Sequence, residues 1–134
     1  MTEEEQGVVT EFKNKLPVFS EVWNKYLETE IVDDEDEEYI NLYSFAQEFS
    51  EFVITLYQKN KTDELKVAFY EIEQLANSDS EYISNVALVG FIEGILMLRQ
   101  HKGIPLEAFD EWLGVSSREF WYGMHDFFTT RSTE

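Results

Sequence analysis

The sequence predicts an all-α fold: a single-domain bundle of six or seven antiparallel helices around a central apolar helix at about residues 80–101. Three observations carry this reading. Apolar residues recur at three- and four-residue spacing along nearly the whole chain, strand-like alternation is scarce, and only two prolines interrupt 134 residues. A chain of this length is the size of one domain and buries roughly two-thirds of its unfolded surface. With 43% hydrophobic residues, including 11 Phe, seven Tyr and three Trp, it has a core to build and is not of the disordered class.

The elements follow in order. Thr2-x-x-Glu5 has capping-box form, so a first helix is expected from residue 2 to about residue 16, with Val8, Val9, Phe12 and Leu16 on one face. Pro17 ends it and suits the first turn of a second helix, which carries Phe19, Val22, Trp23, Tyr26 and Leu27. An acidic loop at about 30–38 leads into a third helix, expected at about 37–59 because acids favour a helix start. Its stripe is Tyr39, Leu42, Tyr43, Ala46, Phe49, Val53, Leu56 and Tyr57. Asn60 closes it, and Thr62 caps a fourth helix bearing Leu65, Ala68, Phe69, Ile72, Leu75 and Ala76. Ser80 opens a fifth, ending before Gly103. This helix is apolar around most of its circumference, which places it at the centre. Pro105 and Gly114 bracket a short sixth helix. Ser116 or Ser117 caps a seventh, with Phe120, Trp121, Met124, Phe127 and Phe128 expected in the core. Short connections make sequential helices antiparallel neighbours.

Charge is the strongest functional signal. Asp and Glu number 28 against 10 Lys and Arg, a formal −18, and residues 1–40 hold 13 acids against Lys13, Lys15 and Lys25. Such a field repels phosphate and anionic lipid and steers a basic macromolecule inward. The expected partner is therefore a basic protein, with no direct nucleic-acid contact and no membrane. The start of the chain lacks the basic and apolar regions of a signal peptide. The longest apolar tract, 86–98, is 13 residues interrupted by Glu93, too short by itself to span a bilayer. A soluble, cytoplasmic protein is expected.

No catalytic, cofactor-binding or metal-binding residue emerges from the motifs, and the chain is not expected to be an enzyme. Asp34-x-Asp36-x-Glu38 resembles the start of a calcium loop, but Tyr39 replaces the turn glycine and Phe45 the bidentate Glu; starting at Asp36 puts Gln47 there. The run is then either a solvated charge block or a contact surface for lysines and arginines. The contact surface would comprise Glu28, Glu30, Asp33, Asp34, Glu35, Asp36, Glu37 and Glu38, with Tyr39 and Tyr43 as aromatic anchors. His101 and His125 lack the Glu-x-x-His spacing of helical di-iron sites. Gly114-Val115-Ser116-Ser117-Arg118 lacks the second glycine of a nucleophile elbow. With no Cys, disulfides and thiolate chemistry are excluded. Glu93, inside the most apolar helix, must reach solvent, find a donor or take up a proton. It is either a structural Glu or the lining of a groove. Gly90 and Gly94 would allow close helix approach.

Asn85-Val86-Ala87-Leu88-Val89-Gly90-Phe91-Ile92-Glu93, and later Leu113-Gly114-Val115-Ser116-Ser117-Arg118-Glu119-Phe120-Trp121, resemble an uncharacterised bacterial family of small acidic helical proteins. That family is similar to immunity proteins of contact-dependent inhibition and other polymorphic toxin systems. The resemblance covers about 60–121 and leaves the acidic N-terminal third outside. It implies a protein that binds and neutralises one cognate toxin, commonly a basic nuclease, and has no active site of its own. Two readings stand beside it: an acidic adaptor or nucleic-acid mimic without a dedicated toxin, and an enzyme built on Glu93.

Overall fold

Side-chain acceptors close to the helix start cap the first, third and fifth helices, whereas the second and fourth begin without one, and the sum is an all-α single domain. The computed structural model describes residues 1–31 and 33–132, apart from the side chains of Asp34, Asp36, Glu38, Arg131 and Ser132. Its helices are α1 (Glu3–Lys15), α2 (Pro17–Glu30), α3 (Leu42–Gln58), α4 (Thr62–Ala76), α5 (Glu81–His101) and α6 (Val115–Ser132). Two 3₁₀ turns, Asp34–Tyr39 and Leu106–Phe109, complete it, and no strand occurs among the described residues.

The capping box of α1 is formed: Thr2 N–H donates to Glu5 Oε1 at 3.0 Å and Glu5 N–H to Thr2 Oγ1 at 3.1 Å. Ser80 opens α5, accepting from Ile83 N–H at 3.3 Å. Asn60, at φ 56, closes α3, a left-handed position that Asn tolerates. Other boundaries differ from expectation. The third helix starts at Leu42, not near residue 37, because Asn41 Oδ1 accepts from the N–H groups of Tyr43 and Ser44 at 2.9 and 3.1 Å. The acids before it form the 3₁₀ turn, since like charges three and four apart disfavour a helix. Thr62 is the first helical residue of α4 rather than its cap; Lys61 holds the cap position without a side-chain bond. The short sixth helix expected between Pro105 and Gly114 is only the turn Leu106–Phe109.

The core sits where α3 and α5 meet, with α1 and α2 against one side of α3 and α4 and α6 against α5. Two aromatic clusters fill it. Phe49 is fully buried, its ring 5.0 Å from Phe12, 4.9 Å from Phe19 and 5.6 Å from Phe91. Under α6, Phe109 packs 5.4 Å from Phe69 and 5.8 Å from Trp121, whose Nε1–H donates to Leu106 O at 3.1 Å. Tyr39, expected in the stripe of the third helix, is 78% exposed because it belongs to the turn, and Phe127 and Phe128 near the end of α6 are also exposed.

The sequence carries no sign of one feature of α5: Val86–Ile92 is wound as a π-helix, a rare winding that widens the backbone. The seam against α3 accommodates it through two glycines. A Cβ at Gly90 would lie 3.1 Å from Ala46 Cβ, and one at Gly94 only 2.7 Å from Ser50 Oγ. The buried Ser50 hydroxyl occupies the space Gly94 leaves and contacts the carbonyls of Ala46 and Phe91 at 2.8 and 3.3 Å. Gly94→Ala is expected to cost about 1–3 kcal/mol by overpacking. Adding Ser50→Ala should recover part of that loss, since the clashing oxygen is removed. A double-mutant cycle by denaturant unfolding checks it, a coupling of zero contradicting the contact.

The continuous 21-residue α5 is longer than the 86–98 tract counted in the sequence. By length and composition alone it is the one helix among the described residues able to cross a membrane. In the fold it packs against α3, α4 and α6.

Candidate functional site: an acidic face between α2 and α3

Glu28 and Glu30 lie in the last turn of α2, both exposed, with no basic residue in that turn. The chain then runs through Asp33, Glu35 and Glu37, all exposed, and ends the 3₁₀ turn at Tyr39. The side chains of Asp34, Asp36 and Glu38, expected in the same surface, lie outside the described ones. Ser44 Oγ–H reaches Tyr39 O at 3.5 Å, tying the turn to the start of α3. Tyr43 faces α5 instead: its ring stands edge-on to Tyr82 at 6.2 Å and beside Gly90, leaving it 38% exposed.

Sequence reasoning missed part of this face. Burial, then the charges of Glu51 and Glu30, push the Glu48 carboxyl above its ordinary range. Burial, then Glu30 and Glu48, push the Tyr26 hydroxyl up as well. The charges of Glu30 on α2 and Glu51 on α3 thus both bear on Glu48, and those of Glu30 and Glu48 on Tyr26, which stacks on Trp23 at 5.1 Å. Among the described residues no Lys or Arg forms an ion pair with any of these acids. The like-charged spacing of Glu48 and Glu51 was visible in the sequence; their convergence with Glu30 needed the fold. A cavity of about 250 Å³ is lined by Trp23, Leu27, Ile31, Ile40 and Glu37, and also by the chain's own Lys13, whose Nζ donates to Asn24 Oδ1 at 3.3 Å.

Two other carboxylates are spent on the structure. Glu5, 5% exposed, accepts from Leu42 N–H and Tyr82 Oη–H, both at 2.8 Å, and so clips α1 to the starts of α3 and α5. Burial works to raise its carboxyl, but bonds from Thr2, Leu42 and Tyr82 outweigh burial and hold it below the ordinary range. The Tyr82 hydroxyl is in turn pushed up to about 12, by burial and then by Glu5. Glu73, near the end of α4, caps α6 from outside: Ser116 N–H and Ser117 N–H donate to its two oxygens at 2.9 Å, and Ser117 Oγ–H donates at 2.7 Å. The two serines expected to cap that helix are donors, and the helix starts at Val115. A Cβ at Gly114 would overlap the Glu73 carboxyl. Burial again opposes, and the bonds from Ser117, Ser116 and Asn77 again outweigh it, so Glu73 is held low.

The remaining candidates stay apart. Glu93 is half-buried, His101 is exposed at the end of α5 and His125 is half-buried on α6. No group of three His, Cys, Asp or Glu able to hold a metal ion occurs among the described residues.

Residues 9–129 match a family described as a domain of unknown function, DUF7674. The chain belongs to this family. The DUF7674 match takes in α2, the acidic turn and α3, so the acidic stretch from Glu28 onward lies within the family, where the resemblance over 60–121 left it outside. Nothing in the match links DUF7674 to immunity proteins or toxin systems. No curated protein and no solved structure matches the chain.

Proposed function

We propose that this DUF7674 protein binds a basic protein partner through its acidic face and neutralises it, in the manner of a cytoplasmic immunity protein holding a toxin domain. The observation that supports this reading is the placement of Glu28 and Glu30. An acid in the last turn of a helix faces the negative end of the macrodipole and weakens its own helix. Glu73 stands in that position on α4, and its carboxylate is used to cap α6. Glu28 and Glu30 cap nothing and pair with nothing among the described residues.

A partner's lysines and arginines supply the missing cations. The cavity beside Glu37 suits a lysine, its stem over Leu27, Ile31 and Ile40 and its ammonium at the carboxylate. The exposed Tyr39 ring is the aromatic anchor. Binding of this kind is fast and salt-sensitive, and its strength comes from the few pairs that are fully desolvated. The chain performs no chemical step in this reading.

The test is growth of a tester strain expressing the product of the adjoining gene, with and without this chain. Toxicity relieved only by this chain is expected. No toxicity from a well-expressed neighbour, together with salt-sensitive capture of several unrelated basic proteins, would replace this reading with that of an acidic adaptor.

A further inference from the structure

Glu5 and Glu71 are the two buried carboxylates among the described residues, and of the two Glu71 has no donor. It is 7% exposed, yet among the described residues it makes neither a hydrogen bond nor an ion pair. It borders a cleft of about 560 Å³ between α1 and α4, which also presents Glu11, Lys15, Tyr70 and Gln74. The Glu71 carboxyl oxygens are not sealed from solvent, so they open on the cleft, and a carboxylate drawn this far from water gains from a cationic partner. Burial and then the Glu11 charge push its carboxyl above the ordinary range, and Lys15 offsets part of this without reaching it.

The cleft is separate from the acidic face. At 3.6 residues per turn, the α1 residues lining this cleft lie on the flank opposite those lining the cavity beside Glu37. Its chemistry also differs: one largely buried carboxylate without a donor, a second, exposed one at Glu11, and Tyr70, 61% exposed. A planar cation with several N–H groups satisfies both acceptors and stacks on an aromatic face, which a lysine ammonium does less well.

We propose that the cleft between α1 and α4 receives an arginine side chain of a protein partner, with Glu71 as its inner acceptor, Glu11 as the outer one and Tyr70 as the stacking surface. The assignment does not require the partner to be a toxin, so it stands or falls apart from the proposed function.

The test titrates the full chain with N-acetyl-arginine amide, following Tyr70, Glu71 and Gln74 by NMR, with the citrulline amide as neutral isostere and the lysine amide as the alternative cation. Saturable shifts with arginine, weaker ones with lysine and none with citrulline are expected. Glu71→Gln, which keeps the shape, should weaken arginine binding about tenfold without lowering Tm. Glu11→Gln, at an exposed position, should weaken it to a smaller extent. Unchanged affinity in Glu71→Gln, equal binding of citrulline or lysine, or shifts confined to residues 28–37 would overturn the proposal. So would binding that appears only in Lys15→Met, since Lys15 would then be the occupant.

Discussion

Glu73→Ala is expected to lower the stability of the fold by about 2–3 kcal/mol, the loss of a helix cap plus an enclosed hydroxyl left without its acceptor. For a domain of this size that is a fall in Tm of roughly 8–12 °C. The argument rests on geometry: one carboxylate accepts from Ser116 N–H, Ser117 N–H and Ser117 Oγ–H, and Ser117 is fully buried. Glu73→Gln should recover little, because its amide nitrogen would face donors. Gly114→Ala should act in the same direction by displacing the carboxyl it touches. Calorimetry of the three variants checks this, and a change under 2 °C for Glu73→Ala would contradict the cap.

The same carboxylates give stability a pH profile with two limbs. Glu5 and Glu73 are held below the ordinary carboxylate value of 4.5. Their contribution is present above that value and is lost as pH falls through their lower folded values. Glu48 and Glu71 are pushed above 4.5. Their contribution has the opposite sign: it is full below 4.5 and lost as pH rises through their higher folded values. Net self-repulsion also fades toward the pI of about 4.3. Tm is therefore expected to rise from neutral pH to about pH 5 and to fall below 4.5. Glu48→Gln and Glu71→Gln should flatten the first limb, and Glu5→Gln and Glu73→Gln the second.

Local signals were legible in the sequence. The Thr2–Glu5 box, Pro17, Asn60 and Ser80 each act within four residues, and the apolar stripes of Phe12, Phe49, Ile72 and Trp121 reached the core where periodicity put them. The failures share a cause. Glu73 acts on serines 43 and 44 residues away, and Glu5 on Leu42 and Tyr82 at separations of 37 and 77. Among 28 acids, nothing local marks Glu73, and the Thr2–Glu5 box marks Glu5 as a cap but not as a link to Leu42 and Tyr82. The π-helix of Val86–Ile92, which packs against α3, has no local signal in the sequence. For the acidic face, the row after Glu28 was visible, whereas Glu48 joined it only once α3 lay beside α2.

That grouping leads to the second large effect. Reversing Glu28 and Glu30 together, Glu28→Lys with Glu30→Lys, is expected to make the isolated protein more stable and the proposed function worse. Two cations in the last turn of α2 would complement its macrodipole and remove the Glu30 charge that bears on Glu48 and Tyr26. A rise in Tm of about 2–5 °C should follow, and the Glu48 carboxyl should titrate at lower pH. Moderate salt, which screens the same repulsion, should raise Tm of the natural chain more than that of the variant. Against a basic partner the reversal replaces attraction with repulsion, so affinity should fall at least about a hundredfold, with a weaker dependence on salt. Residues kept for the fold lose stability when replaced, as Glu73 should. Residues kept for a partner gain it, and these two measurements on one variant separate the cases. A lower Tm would mean that Glu28 and Glu30 serve the fold, and a higher Tm with unchanged neutralisation would mean that the partner binds elsewhere.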